Sequence, residues 1–293
     1  ARTAPHPPAS PVPLPRGPAF PRRTGFRLTS ADQASRWSAS PRRAPGSSLG
    51  IGLWPGRLLP GYGHRMSRIV IIGGHGKVAL LAAPLLVAAG HEVISVIRNP
   101  AQADDITATG ASPLVLSVED ATVEELTRAL TGADAVVWSA GAGGKGGPQR
   151  TDAVDRAAAI RSMEAAAAAG VRRYVMVSFI GAYGDVAADH PLRAYAVAKI
   201  AADRHLQSTD LDWTILGPGL LTQDEPTGSI TVARLEPGAS SADARTSRGN
   251  VARVIAAVLA EPASIGRVIP FCDGDTPIAR AVAHVPRAYA DLS

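Results

Sequence analysis

A tyrosine and a lysine four positions apart are the residues of this chain best suited to proton transfer. Tyr195 and Lys199 lie in the run AYAVAKIAADRHL, which predicts a helix, and side chains four apart on a helix share one face. A free phenol, with a pKa of about 10, is a weak acid at neutral pH, and a neighbouring ammonium stabilises the phenolate and lowers that pKa. The pair therefore predicts an acid/base centre, although the same spacing also arises by chance on helix surfaces.

A glycine-rich turn further upstream could hold a negatively charged group. Gly73, Gly74 and Gly76 follow the apolar run Ile69–Ile72 and precede a predicted helix. Glycine lets the backbone turn tightly and approach a pyrophosphate, whose charge the amides and the positive end of the helix dipole accept. The pattern predicts a dinucleotide site, with a plain glycine turn as the alternative. It does not match a mononucleotide P-loop, because no Ser or Thr follows Lys77.

The residues after the second predicted strand indicate which dinucleotide binds. A site that prefers NAD(H) usually places an Asp or Glu there, which binds the ribose hydroxyls. The sequence instead has Arg98, which can form paired charge-assisted hydrogen bonds to a 2′-phosphate, and Lys77 could add a second cation. We therefore expect NADP(H) to be the preferred cofactor and NAD(H) the alternative. The other interpretation of Arg98 is a solvated loop charge.

Strand-like and helix-like segments alternate from residue 66 onward, which is typical of a parallel sheet covered by helices on both faces. The predicted strands are Ile69–Ile72, His91–Ile97, Pro113–Leu116, Ala133–Ser139, Tyr174–Ser178, Trp213–Leu216 and the run RVIPF. The predicted helices are Lys77–Ala89, Val123–Leu130 (with a capping box of Thr122 and Glu125), Thr151–Ala169, Ala194–Leu206 and Asn250–Leu259. We predict an α/β fold, a doubly wound parallel sheet of the Rossmann type, with a small C-terminal substrate-side lobe after Gly217.

The first 65 residues differ in composition from the rest of the chain. They contain 12 prolines and ten arginines but a single acid, and they show no apolar periodicity. We interpret residues 1–65 as a disordered leader outside the native domain, and residues 66–293 as the NAD(P)-binding domain with Met66 as its natural start. The leader could alternatively be an organelle-targeting segment or an arm that contacts nucleic acid.

The composition of the remainder argues against several functional classes. Beyond residue 65 the acids outnumber the basic residues by four. The clusters of Lys and Arg interleaved with aromatic residues that are typical of nucleic-acid binding are absent from the sequence there. The single cysteine, Cys272, excludes an internal disulfide framework and a cysteine-based zinc site, and the scattered histidines predict no metal. No apolar stretch approaches the ~20 residues of a membrane span, so we expect a soluble, cytoplasmic protein.

Together these motifs resemble the atypical short-chain dehydrogenase/reductase superfamily, in particular its NmrA-like, NAD(P)H-binding branch of epimerase/dehydratase-like proteins. The resemblance extends from Ser67 to Ile278. It is carried by IIGGHGKVA at 71–79, SAGAGG at 139–144, GVRRYVMVSFIGA at 170–182, YAVAK at 195–199 and LDWTILGPGLLTQDEPTG at 211–228. The branch includes reductases, epimerases or dehydratases, and proteins that bind cofactor without turnover.

The resemblance implies a role for the residues that match these motifs. The implied cofactor-binding residues are Gly73, Gly74, Gly76, Lys77, Val78, Arg98, Ser139, Ala140, Gly141, Lys199 and Gly217. Tyr195 would be the acid/base, with Lys199 as its electrostatic helper and ribose clamp. Ser178 would donate a hydrogen bond to the substrate oxygen, although an alignment shifted by two places would put Ile180 there. Adenine contacts also stay open, because Ser117 stands where relatives often carry an acid, with Glu119 and Asp120 nearby.

These observations predict an NADP(H)-dependent oxidoreductase that moves hydride to or from a small carbonyl or similar substrate, or an epimerase or dehydratase that begins with the same step. The second hypothesis is a non-catalytic NADP(H) sensor that binds a protein partner. The third is an NADPH-dependent flavin or quinone reductase. We expect a small-molecule substrate, no nucleic-acid or membrane partner, and either a monomer or a homodimer.

Overall fold

A mostly parallel β-sheet with helices on both faces is the core of the computed structural model of this protein. The structure describes residues 66–143, 146–183, 189, 192–233 and 244–285. The predicted leader, residues 1–65, lies outside the described residues.

The main sheet has the strand order of a doubly wound dinucleotide-binding fold. The strands are β1 (Arg68–Ile72), β2 (Glu92–Ile97), β3 (Ser112–Val115), β4 (Ala135–Trp138), β5 (Arg173–Val177), β6 (Asp212–Pro218), β7 (Leu220–Thr222), β8 (Ser229–Val232), β9 (Arg245–Ser247), β10 (Arg267–Asp273) and β11 (Thr276–Pro277). Their order across the main sheet is β3-β2-β1-β4-β5-β6-β10-β8-β11. The pairings from β3 to β10 are parallel, and β8 and β11 add antiparallel pairings.

Helices cover both faces of this sheet, as predicted. They are α1 (Ala79–Ala88), α2 (Ala103–Ala108), α3 (Val123–Leu130), α4 (Gly147–Thr151), α5 (Ala159–Ala168), α6 (Arg193–Gln207), α7 (Arg248–Ala260) and α8 (Ile278–Ala283). Side chains of α1, α7 and α8 belong to the apolar core on one face, and side chains of α3, α5 and α6 to the core on the other. The strands are buried between these layers, because parallel strands covered on both sides have no solvent-facing side.

Local sequence signals account for most of the element boundaries. The predicted strands match the observed ones to within two residues at each end. The capping box that opens α3 is formed, with Thr122 and Glu125 each accepting from the other's backbone amide, and Ser247 caps α7 by accepting from the amide of Asn250. After Gly217, β7 and β9 pair in a second, two-stranded sheet, whereas β8, β10 and β11 join the main sheet, so the substrate-side lobe stays a prediction.

Two helices differ from their predicted form. The first helix begins at Ala79 rather than Lys77, and its wholly apolar sequence does not make it wholly buried, because Leu81 and Leu85 face solvent. The predicted helix Thr151–Ala169 begins earlier, at Gly147, and passes through a π-helical segment at Asp152–Ala158 before α5. Such wide turns are frequent at functional sites, and the apolar pattern did not indicate this one.

The topology determines where a ligand can bind. From β1 the chain builds the sheet outward through β2 and β3, and it then crosses back to β4 on the other side of β1. Ligands of such sheets bind at the carboxyl ends of the strands, at the point where the order reverses. Within the described ranges, no helix is long and apolar enough to cross a membrane. No group of three metal-ligating side chains occurs there either.

Candidate functional site

The glycine-rich loop is packed against the carboxyl ends of the neighbouring strands. Gly73 has φ +85°, and a Cβ on it would lie 2.6 Å from the backbone of Ala140, two residues after β4. A Cβ on Gly74 would lie 2.5 Å from the Cβ of Ser95 on β2, and the Gly74 amide donates to the carbonyl of Val96. Both positions therefore require glycine, because a side chain would displace the loop from the sheet.

Three backbone amides in this loop and at the start of α1 are free among the described residues. Gly76 donates to the carbonyl of Gly73, but in the described part of the chain the amides of His75, Lys77 and Val78 donate no hydrogen bond. Val78 occupies the N-cap position and has no side-chain oxygen that could cap the helix. Unpaired amides at a helix N-terminus bind anions well. The loop therefore fits the pyrophosphate of a dinucleotide.

The end of β2, where the adenosine ribose of a bound dinucleotide would lie, is positively charged. The Arg98 side chain is 62% exposed, and its guanidinium lies 3.5 Å from a carboxylate oxygen of Glu119. The same Glu119 oxygen accepts a hydrogen bond from Arg150 at 3.2 Å, so two arginines offset the negative charge of Glu119. Glu119 is one of the acids that could have contacted the adenine. Lys77 is exposed in the glycine loop. Arg98 and Lys77 are thus two exposed cations near the end of β2 and the glycine loop.

A buried carboxylate that sequence reasoning missed supports the loop after β4. Asp155, in the π-helical segment, is 1% exposed and accepts a 3.0 Å hydrogen bond from the amide of Ala142. A Cβ on Gly141 would lie 2.9 Å from the other carboxylate oxygen of Asp155. The Ser139 amide donates to the carbonyl of Ile72, which joins this loop to β1. Burial raises the pKa of Asp155, and nearby Lys199 opposes the rise.

Lys199, on α6, lies close to Asp155. Its ammonium is buried, donates to the carbonyl of Val177 at 2.8 Å and lies 4.0 Å from an oxygen of Asp155. Burial lowers the pKa of Lys199, and the charges of Asp155 and Asp203 act in the opposite direction. Gly73, the loop residues Ala140–Ala142, Asp155 and Lys199 thus form a series of neighbours that leads from the glycine loop to the predicted catalytic helix.

Tyr195 is partly buried one helical turn before Lys199. Its ring packs on Phe179, with centroids 5.2 Å apart and planes inclined by 53°. Burial raises the pKa of Tyr195, and the charges of Asp155 and Asp203 raise it further. The lowered pKa expected from Lys199 is not found in this structure, because burial is the largest influence on the phenol and the two carboxylates act in the same direction. The phenol stays protonated and can act as a hydrogen-bond donor.

Ser178 directly follows β5, and its hydroxyl is bonded to a second buried carboxylate, Asp203 on α6. Its Oγ donates to Asp203 at 2.5 Å, and both residues are buried. The spacing could have indicated Asp203, because it lies one turn beyond Lys199 on the face that carries Tyr195. Ile180 lies in a short 3₁₀ turn beyond Ser178. The predicted donation from Ser178 to a substrate oxygen stays a prediction, since its proton is directed to Asp203 here.

Gly217 lies near the end of β6, next to the turn that follows β5. A Cβ there would lie 3.3 Å from the Cα of Pro270 and 3.4 Å from the carbonyl oxygen of Phe179. These contacts are tight but not impossible, so packing accounts for the small residue and a role towards the nicotinamide stays a prediction.

Comparison with known proteins identifies the family to which this chain belongs. A family model described as NAD(P)H-binding matches residues 73–262, which include the glycine loop, Arg98 and the Tyr195–Lys199 pair. The chain belongs to this NAD(P)H-binding family. The match agrees with the resemblance drawn from the motifs and with the Rossmann-type sheet.

Individual relatives are similar to this chain over about three quarters of its length. A UPF0659 protein of Schizosaccharomyces pombe is 35% identical over 74% of this chain and 94% of its own length. An uncharacterized sugar epimerase, YhfK, of Bacillus subtilis is 33% identical over 73% of this chain and 98% of its own. A solved structure of a candidate NAD-dependent epimerase/dehydratase from Bacillus halodurans has 34% identity and a TM-score of 0.66, and covers 74% of this chain and 98% of that one.

Proposed function

We propose that this protein is an NADP(H)-dependent oxidoreductase that acts on a small substrate with a carbonyl or hydroxyl group. The observation that carries the proposal is the chain of contacts and near neighbours from Gly73 through Ala140 and Asp155 to Lys199. This series of residues connects the glycine loop, which can bind an anion, to the buried ammonium of Lys199 and to the phenol of Tyr195. Family membership supports nicotinamide binding, and the relatives named as epimerases support chemistry at a carbon that bears oxygen.

Each side chain has a specific task in this proposal. The free amides of the glycine loop bind the pyrophosphate, and Arg98 with Lys77 binds the 2′-phosphate. Lys199 holds the nicotinamide ribose, and Tyr195 donates a hydrogen bond to the substrate oxygen. When bound, the cofactor supplies hydride chemistry, which no amino-acid side chain can perform.

The cofactor preference rests on the charge at the end of β2. NAD(H) would need a carboxylate that is free to accept from the ribose hydroxyls. The carboxylate found there, Glu119, is bonded to Arg98 and Arg150 instead. A 2′-phosphate can pair with the exposed Arg98 guanidinium directly, so we propose that NADP(H) binds more tightly than NAD(H).

Calorimetric titration of the full chain with NADPH and with NADH tests the proposal. Tight binding of NADPH and weaker binding of NADH are expected. Equal affinities would refute the proposed preference for NADP(H) but would still support a dinucleotide site. Absence of binding for both would refute the whole proposal.

A cofactor sensor without turnover is the second candidate. It is favoured by the hydroxyl of Ser178, whose proton is directed to Asp203 instead of a substrate oxygen. The two candidates differ in the effect of Tyr195→Phe: loss of hydride transfer with unchanged NADPH affinity indicates the enzyme. A wild-type protein that binds NADPH tightly and reduces no carbonyl compound indicates the sensor.

A further inference from the structure

The loop between β3 and α3 places one carboxylate between two arginines. One oxygen of Glu119 lies 3.5 Å from the guanidinium of Arg98 and 3.2 Å from that of Arg150. Arg98 directly follows β2, and Arg150 belongs to α4. Three separate segments of the chain therefore meet at a single carboxylate oxygen. The negative charge of Glu119 offsets the repulsion between the two neighbouring cations.

The backbone that carries Glu119 is held in place by a third arginine. Arg161, on α5, donates hydrogen bonds of 2.9 to 3.1 Å to the carbonyl oxygens of Val118, Glu119 and Ala121. A single side chain thus binds three carbonyl groups of the same loop. The fold therefore sets the position of the Glu119 backbone, and the carboxylate stays within reach of both Arg98 and Arg150.

The two contacts of Glu119 differ in how easily they can be broken. The Arg98 side chain is 62% exposed, and its contact with Glu119 is the longer one. Exposed ion pairs of this kind contribute little free energy, because water screens them. Arg150 and Glu119 are only 27% and 26% exposed, and their contact is shorter. Arg98 can therefore leave Glu119 at little cost, whereas Arg150 can retain it.

We propose that Glu119 and Arg150 together set the cofactor preference of this protein without contacting the 2′-phosphate themselves. While this phosphate is absent, both arginines share Glu119, as they do in the structure. When the phosphate is present, Arg98 turns from Glu119 to the phosphate, and Arg150 keeps the carboxylate neutralised. The inference rests on the proposed function, because it requires that Arg98 bind the 2′-phosphate of NADP(H).

Arg150 is needed in this arrangement because Glu119 would otherwise oppose the phosphate. A carboxylate and a phosphate carry like charges and repel each other at short range. Without Arg150, the carboxylate would depend on Arg98 alone and would compete with the phosphate for that guanidinium. Arg150 is therefore a positioning residue that acts through Glu119, and Glu119 is the competitor that it controls.

A double-variant cycle measured by calorimetry tests the proposal. The full chain is titrated with NADPH and with NADH as wild type, Arg150→Met, Glu119→Gln and the double variant. The readout is the preference, defined as the dissociation constant of NADH divided by that of NADPH, because the two cofactors differ only in the 2′-phosphate. We expect Arg150→Met to lower the preference about fivefold and Glu119→Gln to raise it about fivefold. The double variant should match Glu119→Gln to within about twofold, because Arg150 then has no carboxylate to control.

Two other roles of Arg150 predict different results. If Arg150 bound the phosphate directly, Arg150→Met would lower the preference equally in the presence and in the absence of Glu119, and the proposal would be overturned. If Arg150 were only structural, its loss would weaken NADPH and NADH binding alike and leave the preference unchanged, which would overturn the proposal too. A preference unchanged in Glu119→Gln would show that this carboxylate does not compete for Arg98.

A matched control and the wild-type titrations keep the outcomes separate. Arg156→Met removes a nearby arginine that pairs with Asp152 and not with Glu119, so it should change neither affinity. A wild type that prefers NADPH, combined with additive effects in the cycle, would refute this inference alone. A wild type without preference would refute the proposed preference, but a preference that emerges in Glu119→Gln would still support competition by Glu119. A wild type that binds neither cofactor would refute the proposed function, and this inference with it.

Discussion

Lys199 and Asp155 form the most buried ion pair among the described residues. Their side chains are 3% and 1% exposed, and Lys199 Nζ lies 4.0 Å from Asp155 Oδ1. The pair joins α6 to the π-helical segment, and Asp155 in turn holds the loop after β4 through the amide of Ala142. A change at either residue should therefore affect both the stability of the fold and the cofactor loop.

Replacing Lys199 by Met should destabilise the fold in a pH-dependent manner. Removing one partner of a buried ion pair typically costs about 3 kcal/mol or more, because the other charge is left uncompensated. Burial already raises the pKa of Asp155, and loss of Lys199 raises it further. A carboxyl group whose pKa rises on folding is most destabilising when ionised, so the cost should be larger at pH 8 than at pH 5. Urea unfolding at both pH values measures it.

The double variant with Asp155→Asn is the control for this pH dependence. It removes the ionisable carboxyl group, so the difference in unfolding free energy between pH 5 and pH 8 should shrink relative to Lys199→Met. A Lys199→Met protein that is equally destabilised at both pH values would show that Asp155 is not the group responsible.

Replacing Ser95 by Ala should stabilise the protein by about 1 kcal/mol in urea unfolding. The hydroxyl of Ser95 is fully buried below Gly74, and it has no hydrogen-bond partner in the described part of the structure. Ser162 is a matched control: it is equally buried, but it bonds to the hydroxyl of Tyr174 and the carbonyl of Ala159. Ser162→Ala should destabilise by a similar amount. Equal effects of the two substitutions would contradict this account.

Replacing Arg98 by Ala should weaken NADPH binding about tenfold or more and leave NADH binding nearly unchanged. The reason is that only the 2′-phosphate can form charge-assisted hydrogen bonds with this exposed guanidinium. Arg172→Ala is the control, since that side chain is similarly exposed, at 67%, but lies at the start of β5, away from the glycine loop. Calorimetry with both cofactors measures the effect. Parallel losses for NADPH and NADH would show that Arg98 does not recognise the 2′-phosphate.

The sequence predicted those parts of the site that local patterns determine. The glycine loop, the strand ends and the Tyr195–Lys199 spacing are each contained in a few consecutive residues, and all three lie at one edge of the sheet. Asp155 could not be found in this way, because its role depends on a π-helical segment and on a partner 44 positions away. Asp203 could have been found from its spacing to Lys199. Its bond to Ser178, however, requires the pairing of α6 with β5.

Electrostatics was the property that sequence reasoning estimated least well. Considering only Tyr195 and Lys199, one expects a lowered phenol pKa, because the ammonium lies one helical turn from the phenol on the same face. The fold adds the charges of Asp155 and Asp203, and burial dominates the result. The sign of a pKa shift in a buried cluster depends on all the charges that the fold brings together.

The ionisation of Tyr195 provides a direct test of this sign. The increase in tyrosinate absorbance with pH, taken as wild type minus Tyr195→Phe, isolates this phenol from the other tyrosines. Its midpoint should lie above the value of about 10 that is usual for tyrosine, because burial and the two carboxylates disfavour the phenolate. The same difference measured in an Asp155→Asn background should have a lower midpoint, since one of those negative charges is gone. A midpoint at or below 10 in the otherwise unmodified protein would show that Lys199 dominates, and Tyr195 would then be able to act as the base.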